Sequence, residues 1–362
     1  MLRWTFGIVD LRAEHGLNQD QDSGANEPSV LLVQRSLRLC LGQAIAHHLQ
    51  TQVERSPLLS HPDLQAALTA EQTLLRRGEA LRLRRDETTL RYDWAIALRL
   101  YPHLPPAANL SRIDFAASLA TQLVQAPISL PVQGHAPWQT SPGDRPSGFS
   151  PGLEAGADWT ISLYKKELLQ IELGDRALAQ WLASVLQCPL TPASDSSQRG
   201  AAKQGANTPL APAPAQPDLA QQFWMQAAHA RSCSFLRQGT QLSLLPTGFV
   251  EDLCLDAAHL SEFVGRKDVL LLQSPECPGW ALLRACITAQ DEWATASDAQ
   301  RWGIAQRLSQ SIWVFDANCR LLHEAQIQPQ DRSLVRFWTL AIAAKLLRET
   351  LHSLGLSAPQ EL

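Results

Sequence analysis

The last thirty residues carry the clearest hydrophobic pattern in the chain. Their apolar positions recur three and four residues apart, the spacing of one helix face, at Phe337, Leu340, Ala344, Leu347, Leu351 and Leu354. A second apolar stripe lies beside the first, at Val335, Trp338, Ile342 and Leu346. Asp331 is the predicted N-cap, Gly355 the predicted left-handed stop, and Pro359 prevents continuation. The pattern predicts a largely buried core helix followed by a short tail, Leu356–Leu362.

The first half of the chain mixes helical and strand patterns. The spacing predicts helices over residues 32–53, 63–77, 94–101, 113–124 and 175–186. Alternation predicts strands over residues 80–85, 88–92 and 159–164, with the first two forming a pair. Residues 1–29, with one possible strand, are predicted to be a mobile lead, and the Gly/Pro-rich residues 134–156 an exposed insertion. This order predicts an α+β amino-terminal domain over residues 30–187.

A change of composition separates the two halves. Residues 188–218 consist mainly of Pro, Ala, Ser, Gln and Gly, which predicts a linker spanning roughly 30 Å. Beyond it, helical patterns cover residues 226–239, 253–264, 279–293 and 299–322. The last of these has a stripe at Ala305, Leu308, Ile312, Phe315, Cys319 and Leu322. Residues 219–362 are therefore predicted to be an all-α helical bundle.

Three segments of this bundle resemble arginyl-tRNA synthetases. "QAAHARSCSFLRQG" (226–239) is similar to the family's "YAHARICSILR", and "LSQSIWVFDANCRLL" (308–322) to its "LAQAFNxFYxNCRVL". "LLRETLHSLGLSAPQEL" (346–362) looks like the family's carboxyl end. The resemblance implies that residues 219–362 are a DALR-type anticodon-binding domain. More weakly, residues 30–187 resemble the amino-terminal domain that touches the tRNA elbow, although the family's Gly-x-Gly-Phe is here Gly156-Ala-Asp-Trp159.

Composition narrows the classes of function. The net charge is −4, and residues 222–362 hold 12 Lys/Arg against 14 Asp/Glu, so an RNA site there must be a local patch. Seven cysteines without a CxxC pair indicate buried thiols in a reducing cytosol. The first thirty residues lack a signal-peptide pattern, and no apolar run reaches the ~18 residues that a membrane span needs. We expect a cytoplasmic protein that does not bind membranes.

The sequence contains little catalytic chemistry. Synthetases of this class bind ATP through a His-x-Gly-His loop, which is absent from this chain, as is a Walker-type glycine loop. His47-His48 lack partners at metal-ligand spacing and are interpreted as surface residues of a helix. Asp291-Glu292 is interpreted as a charged helix end and not as an acid–base pair. We therefore predict no catalytic residue, no metal site, no cofactor and no autonomous ligase activity.

Arginines of the predicted strand pair are the first candidates for RNA contact. Arg82, Arg84 and Arg85 belong to the densest basic cluster in the chain, and Arg82 and Arg84 share a sheet face because side chains alternate. A solvated edge protected by charge is one interpretation. A phosphate-binding patch is the other.

Further candidates lie in the segments that resemble the synthetase. Arg231 falls in the opening motif, beside His229; both can bind RNA or form contacts inside the bundle. Three residues of the 299–322 helix are suited to base stacking or phosphate binding: Trp313, Asn318 and Arg320. Packing against a neighbouring helix is the alternative role for Trp313. The resemblance also implies that the tail ending at Leu362 helps to form the pocket for the middle anticodon base.

The expected function is that of a catalytically empty protein resembling arginyl-tRNA synthetase. It would bind tRNA, specifically arginine tRNA, and present or sequester it. A first alternative is a protein-interaction subunit that docks a synthetase or a tRNA-modifying enzyme. A second alternative is the non-catalytic part of an arginine-tRNA ligase that is completed by a separate chain.

Overall fold

The computed structural model describes residues 36–53, 59, 61–84, 89–105, 108–124, 159–165, 167–186, 218–254, 259, 279–293, 295–319, 321 and 330–361. Their contacts divide the chain into two compact units, and the division falls after Ser184. The first unit contains Leu37–Ser184, and the second contains Val185–Leu362 together with Ser36. The predicted lead, the 134–156 insertion and all of the linker except Asp218 lie outside the described residues.

The first unit combines helices with a small antiparallel sheet. Its helices are α1 (Leu37–Val53), α2 (Pro62–Arg76), α3 (Ile96–Leu100, followed by a 3-10 turn at Tyr101–His103), α4 (Arg112–Val124) and α5 (Asp175–Leu186), within which the division falls. Its strands are β1 (Leu81–Leu83), β2 (Leu90–Trp94), β3 (Trp159–Tyr164) and β4 (Leu168–Leu173), in the order β1-β2-β4-β3. The prediction that this part of the chain combines helices with strands is therefore confirmed.

One face of the sheet forms the core of the first unit. Leu81 lies opposite Trp94, and Tyr92 lies opposite Ile171, so large apolar side chains stand in register on one face. These residues are buried, and α1, α3 and α4 pack against the sheet. The buried carboxylate of Glu71 accepts hydrogen bonds from the Trp94 indole at 2.7 Å and from Nε of Arg99 at 2.6 Å. This carboxylate therefore joins α2, β2 and α3.

In the described part of the second unit, all regular elements are helices, as predicted. It contains α6 (Leu219–Gln241), α7 (Phe249–Asp252), α8 (Gly279–Trp293), α9 (Asp298–Asn318) and α10 (Gln330–Ser353). Helix α10 packs against α6, α8 and α9, and α9 also packs against α6 and α8. Among the helices that the structure describes, none is long and apolar enough to cross a membrane.

Helix α10 buries both apolar stripes that its sequence predicts. All members of the two stripes are buried except Leu354, which is half-buried. Gly355 has a φ of +74°, and the N–H of Leu356 donates to the carbonyl of Leu351 at 2.9 Å. The predicted left-handed stop is thus confirmed. The predicted N-cap is wrong, because the backbone is already helical at Gln330 and Asp331 lies inside the first turn.

Candidate nucleic-acid interface

Helix α6 is the element around which the candidate site is built. Its amino terminus is capped by Asp218, whose carboxylate accepts from the N–H of Ala220 at 3.1 Å. Its inner face packs closely on α10: a Cβ at Gly239 would lie 2.9 Å from Cε1 of Phe337. This contact fixes the distance between α6 and α10, and with it the position of the outer side chains of α6.

Helices α6 and α9 lie side by side and run in the same direction. Gln306 donates from Nε2 to Oε1 of Gln221 at 3.0 Å. Ten residues further along both helices, Nε of Arg231 donates to Oδ2 of Asp316 at 3.1 Å. The candidate residues of the two matched segments are therefore neighbours across one helix pair.

The carboxy-terminal tail lies along α6. Gln226 donates from Nε2 to the carbonyl of Ser357 at 3.0 Å, and Arg237 donates from Nη2 to the carbonyl of Gln360 at 2.8 Å. Gln360 in turn donates to the carbonyl of Val250 at 3.5 Å. The hydrogen bonds found for tail residues 357–361 go to α6 and Val250 rather than to the helix that contains Trp313. Leu362, the predicted contact at the end of the tail, lies outside the described residues.

His229 is the central contact between α6 and the tail. The imidazole is fully buried, and its Nδ1 lies 2.7 Å from the carbonyl oxygen of Pro359. Burial lowers the pKa of His229 to about 4, against the opposing effect of the hydrogen bond to Pro359. The ring is therefore neutral at pH 7, with the proton on Nδ1 where it can be donated. His229 thus makes the contact inside the bundle that the sequence offered as one alternative.

Burial also keeps a neighbouring thiol protonated. Sγ of Cys233 lies 3.8 Å from Nε2 of His229. Desolvation raises the pKa of Cys233 to about 11. The pair is therefore a neutral imidazole beside a neutral thiol, and it has no nucleophilic thiolate.

Arg231 points away from the bundle interior. Its side chain is 49% exposed and its carbon Cζ lies 4.4 Å from the centre of the Phe235 ring. The guanidinium forms the ion pair with Asp316 described above. Arg231 is therefore at the surface, as an RNA contact requires, but it also forms the ion pair that the sequence gave as the alternative.

The structure brings two other predicted residues to the same helix pair. Trp313 is half-buried, and its indole N–H has no hydrogen-bond partner in the described part of the chain. Asn318 is exposed, and its side chain donates to the carbonyl of Val314 at 2.7 Å. Arg320 lies outside the described residues.

Two exposed aromatic residues that sequence reasoning missed lie on the first turns of α6. Phe223 is 60% exposed and Trp224 is 39% exposed, beside Leu219 at 78%. A usable signal was present: the buried residues of this helix begin at Met225, and Phe223 stands about 200° from Met225 around the helix axis. Exposed rings of this kind are suited to stacking on unpaired bases.

Of the candidate arginines in the first unit, Arg82 lies on the edge strand β1 and Arg84 directly follows it. Arg82 is exposed on β1, opposite Asp93. Nε of Arg84 is 3.9 Å from Oδ2 of the same Asp93, and Cζ of Arg84 lies 4.4 Å from the centre of the Tyr164 ring. Arg82 and Arg84 thus share one sheet face, as alternation predicts. Arg85 lies outside the described residues.

Comparison with known proteins gives no family assignment. The chain matches no family model, and no curated protein or solved structure matches it.

Proposed function

We propose that this protein binds tRNA, specifically arginine tRNA, through the surface formed by α6, α9 and the tail. The motivation from the sequence is the resemblance of residues 226–239, 308–322 and 346–362 to the anticodon-binding end of arginyl-tRNA synthetases. The observation that carries the proposal is the exposure of Phe223 and Trp224. Exposed aromatic planes are what unpaired anticodon bases stack on.

Polar groups on α6 and α9 suit an RNA strand. Gln221 and Gln306 supply amide donors and acceptors to base edges, and their mutual hydrogen bond holds them in place. Arg231 lies further along α6 and supplies a cation for a phosphate. From residue 219 to residue 230, α6 carries no Asp or Glu that would repel the backbone.

We also propose that the chain presents or sequesters the tRNA and does not aminoacylate it alone. The sequence holds no His-x-Gly-His loop and no Walker-type glycine loop. Arg82 and Arg84 would add phosphate contacts from the first unit, which resembles the family's elbow-binding domain. Completion of a ligase by a separate chain is the enzymatic alternative, and co-purification of that chain would support it.

A protein-docking role is the second candidate function. The exposed group Leu219, Phe223 and Trp224 is apolar, and residues 222–362 hold 12 Lys/Arg against 14 Asp/Glu. Such a surface fits an apolar site on a synthetase or a tRNA-modifying enzyme. RNA binding is preferred because the same helix also carries the exposed Arg231 and, from residue 219 to residue 230, no acidic residue.

Filter binding with total tRNA tests the proposal. The double substitution Phe223→Ala and Trp224→Ala should weaken binding about tenfold or more, because base stacking on an aromatic ring is worth about 1–3 kcal/mol. Leu242→Ala is the matched control, since Leu242 is a 40% exposed apolar residue just beyond the other end of α6. Unchanged tRNA affinity in the double variant would reject this surface for RNA, and loss of a captured protein partner in the same variant would then favour the docking role.

A further inference from the structure

The Arg231–Asp316 ion pair lies within the surface proposed for RNA. Nε of Arg231 is 3.1 Å from Oδ2 of Asp316, and the two side chains are 49% and 20% exposed. Arg231 is on α6 and Asp316 is on α9, so the pair bridges the two helices that carry the candidate residues. An RNA phosphate that approaches Arg231 must therefore also approach Asp316.

The guanidinium of Arg231 is held in one orientation. Its Cζ lies 4.4 Å from the centre of the largely buried Phe235 ring, and its Nε edge faces Asp316. Within the described residues, the two Nη groups have no hydrogen-bond partner. Arg231 thus presents free donors to solvent while a carboxylate neutralises its charge.

The electrostatic consequence follows from the short distance between the two charges. A phosphate bound at the Nη groups would be attracted by Arg231 and repelled by Asp316 at a comparable distance, so the two effects largely cancel. An ion pair at the surface contributes little to the stability of the fold. The main effect of Asp316 is therefore on the binding of anions and not on folding.

We propose that Asp316 is an autoinhibitory residue, which competes with RNA phosphate for Arg231 and lowers the affinity of the helical unit for tRNA. The inference rests on the proposed function, because it concerns the same surface. A phosphate that binds here must displace the Asp316 carboxylate from Arg231. Removal of that single charge should then strengthen binding, whereas loss of a charged residue from a binding surface more often weakens it.

Asp316→Asn tests the inference because it removes the charge and keeps an acceptor for Nε of Arg231. Affinity for total tRNA should rise about three- to tenfold, and the plot of log K against log salt concentration should become steeper by about one. Adding Arg231→Ala to this variant should abolish the gain. Asp298→Asn is the matched control: Asp298 is on the same helix, is 84% exposed, and pairs with Arg301 at 3.2 Å. The affinity of the Asp298→Asn variant for total tRNA should change less than about twofold.

The possible outcomes separate this inference from the proposed function. If the wild type binds tRNA and Asp316→Asn binds equally or more weakly, the autoinhibitory role is wrong and the proposed function stands. An equal gain in Asp298→Asn would show an effect of net charge alone and would also overturn the inference. If neither the wild type nor Asp316→Asn binds tRNA, both are wrong. Binding by Asp316→Asn but not by the wild type would support the autoinhibitory role and contradict the proposed function, because the protein itself would then not bind tRNA.

Discussion

The imidazole Nδ1 of His229 lies 2.7 Å from the carbonyl oxygen of Pro359, so a fully buried side chain of α6 holds the carboxy-terminal tail. Because the ring is neutral and carries its proton on Nδ1, the contact is a hydrogen bond from the imidazole to the backbone. The tail is therefore packed against the helical unit as far as Pro359. This relationship leads to the first two predictions.

Replacing His229 should destabilise the second unit. His229→Ala leaves the Pro359 carbonyl without its donor and opens a cavity, at a cost of about 2–3 kcal/mol in the free energy of unfolding. His229→Asn should cost less, because the amide nitrogen of Asn stands near the position of Nδ1. Urea unfolding followed by circular dichroism measures the difference. Equal stabilities for the two variants would mean that the hydrogen bond to Pro359 is not what matters.

The lowered pKa of His229 predicts a dependence of stability on pH. The ordinary pKa is 6.5 and the folded value is about 4, so between these values the unfolded chain takes up a proton that the folded chain excludes. Stability should fall as the pH is lowered through this range, by at most about 3 kcal/mol, and this contribution should level off below pH 4.

Comparison with His229→Asn isolates that contribution. Other groups titrate in the same range, including His352, whose pKa is also lowered by burial. The difference in unfolding free energy between pH 7 and pH 4.5 should be smaller in His229→Asn than in the wild type. The same difference in both proteins would contradict a neutral, buried His229.

Replacing each of two glycines in the bundle by alanine should change the stability of the protein in opposite directions. Gly239→Ala places a Cβ 2.9 Å from Cε1 of Phe337 and 3.0 Å from Cδ1 of Leu245, which should cost about 1–3 kcal/mol of stability. Gly303→Ala, on α9, meets only the end of the Arg307 side chain at 3.6 Å. It should stabilise the protein by about 0.5–1 kcal/mol through helix propensity. Thermal unfolding of the two variants should therefore shift in opposite directions.

Regular patterns in the sequence predicted much of the fold. The strand at Trp159–Tyr164 and the helices at Asp175–Leu186 and Gly279–Trp293 have the predicted bounds, because alternation or helical spacing is clean there. Strand β4 was missed. Its apolar residues Leu169, Ile171 and Leu173 alternate with Gln170 and Glu172, so the strand pattern was present in the sequence and was overlooked.

The candidate site was less accessible to sequence reasoning. Arg231 and Asp316 are 85 residues apart, and their contact depends on the register between α6 and α9, which only packing determines. The tail hydrogen bonds to Gln226, His229 and Arg237 likewise follow from the position of α6 after the chain has folded. Phe223 and Trp224 were missed because the predicted helical segment begins at residue 226, whereas α6 begins at Leu219.

Removal of the tail should weaken recognition while leaving the helices formed, although the lost hydrogen bond to His229 also lowers stability. Gly355 already ends α10, so deletion of Ser357–Leu362 should leave the bundle helical while releasing the partners of Gln226, His229 and Arg237. Affinity for arginine tRNA should fall about tenfold if the tail forms part of the pocket for one base, since one buried base contact is worth about 1–3 kcal/mol. Filter binding gives the affinity, and circular dichroism checks the fold. Unaltered affinity in a folded truncated protein would exclude the tail from the site.

The central claim is that this protein reads an arginine anticodon, whose middle base is always cytosine. The most direct measurement compares the affinity of the full-length protein for arginine tRNA with that for the same tRNA carrying uracil at the middle position. The account predicts about tenfold weaker binding of the uracil variant, and no further loss when the tail is also deleted. Equal affinity for both tRNAs, or no binding of either, would contradict it.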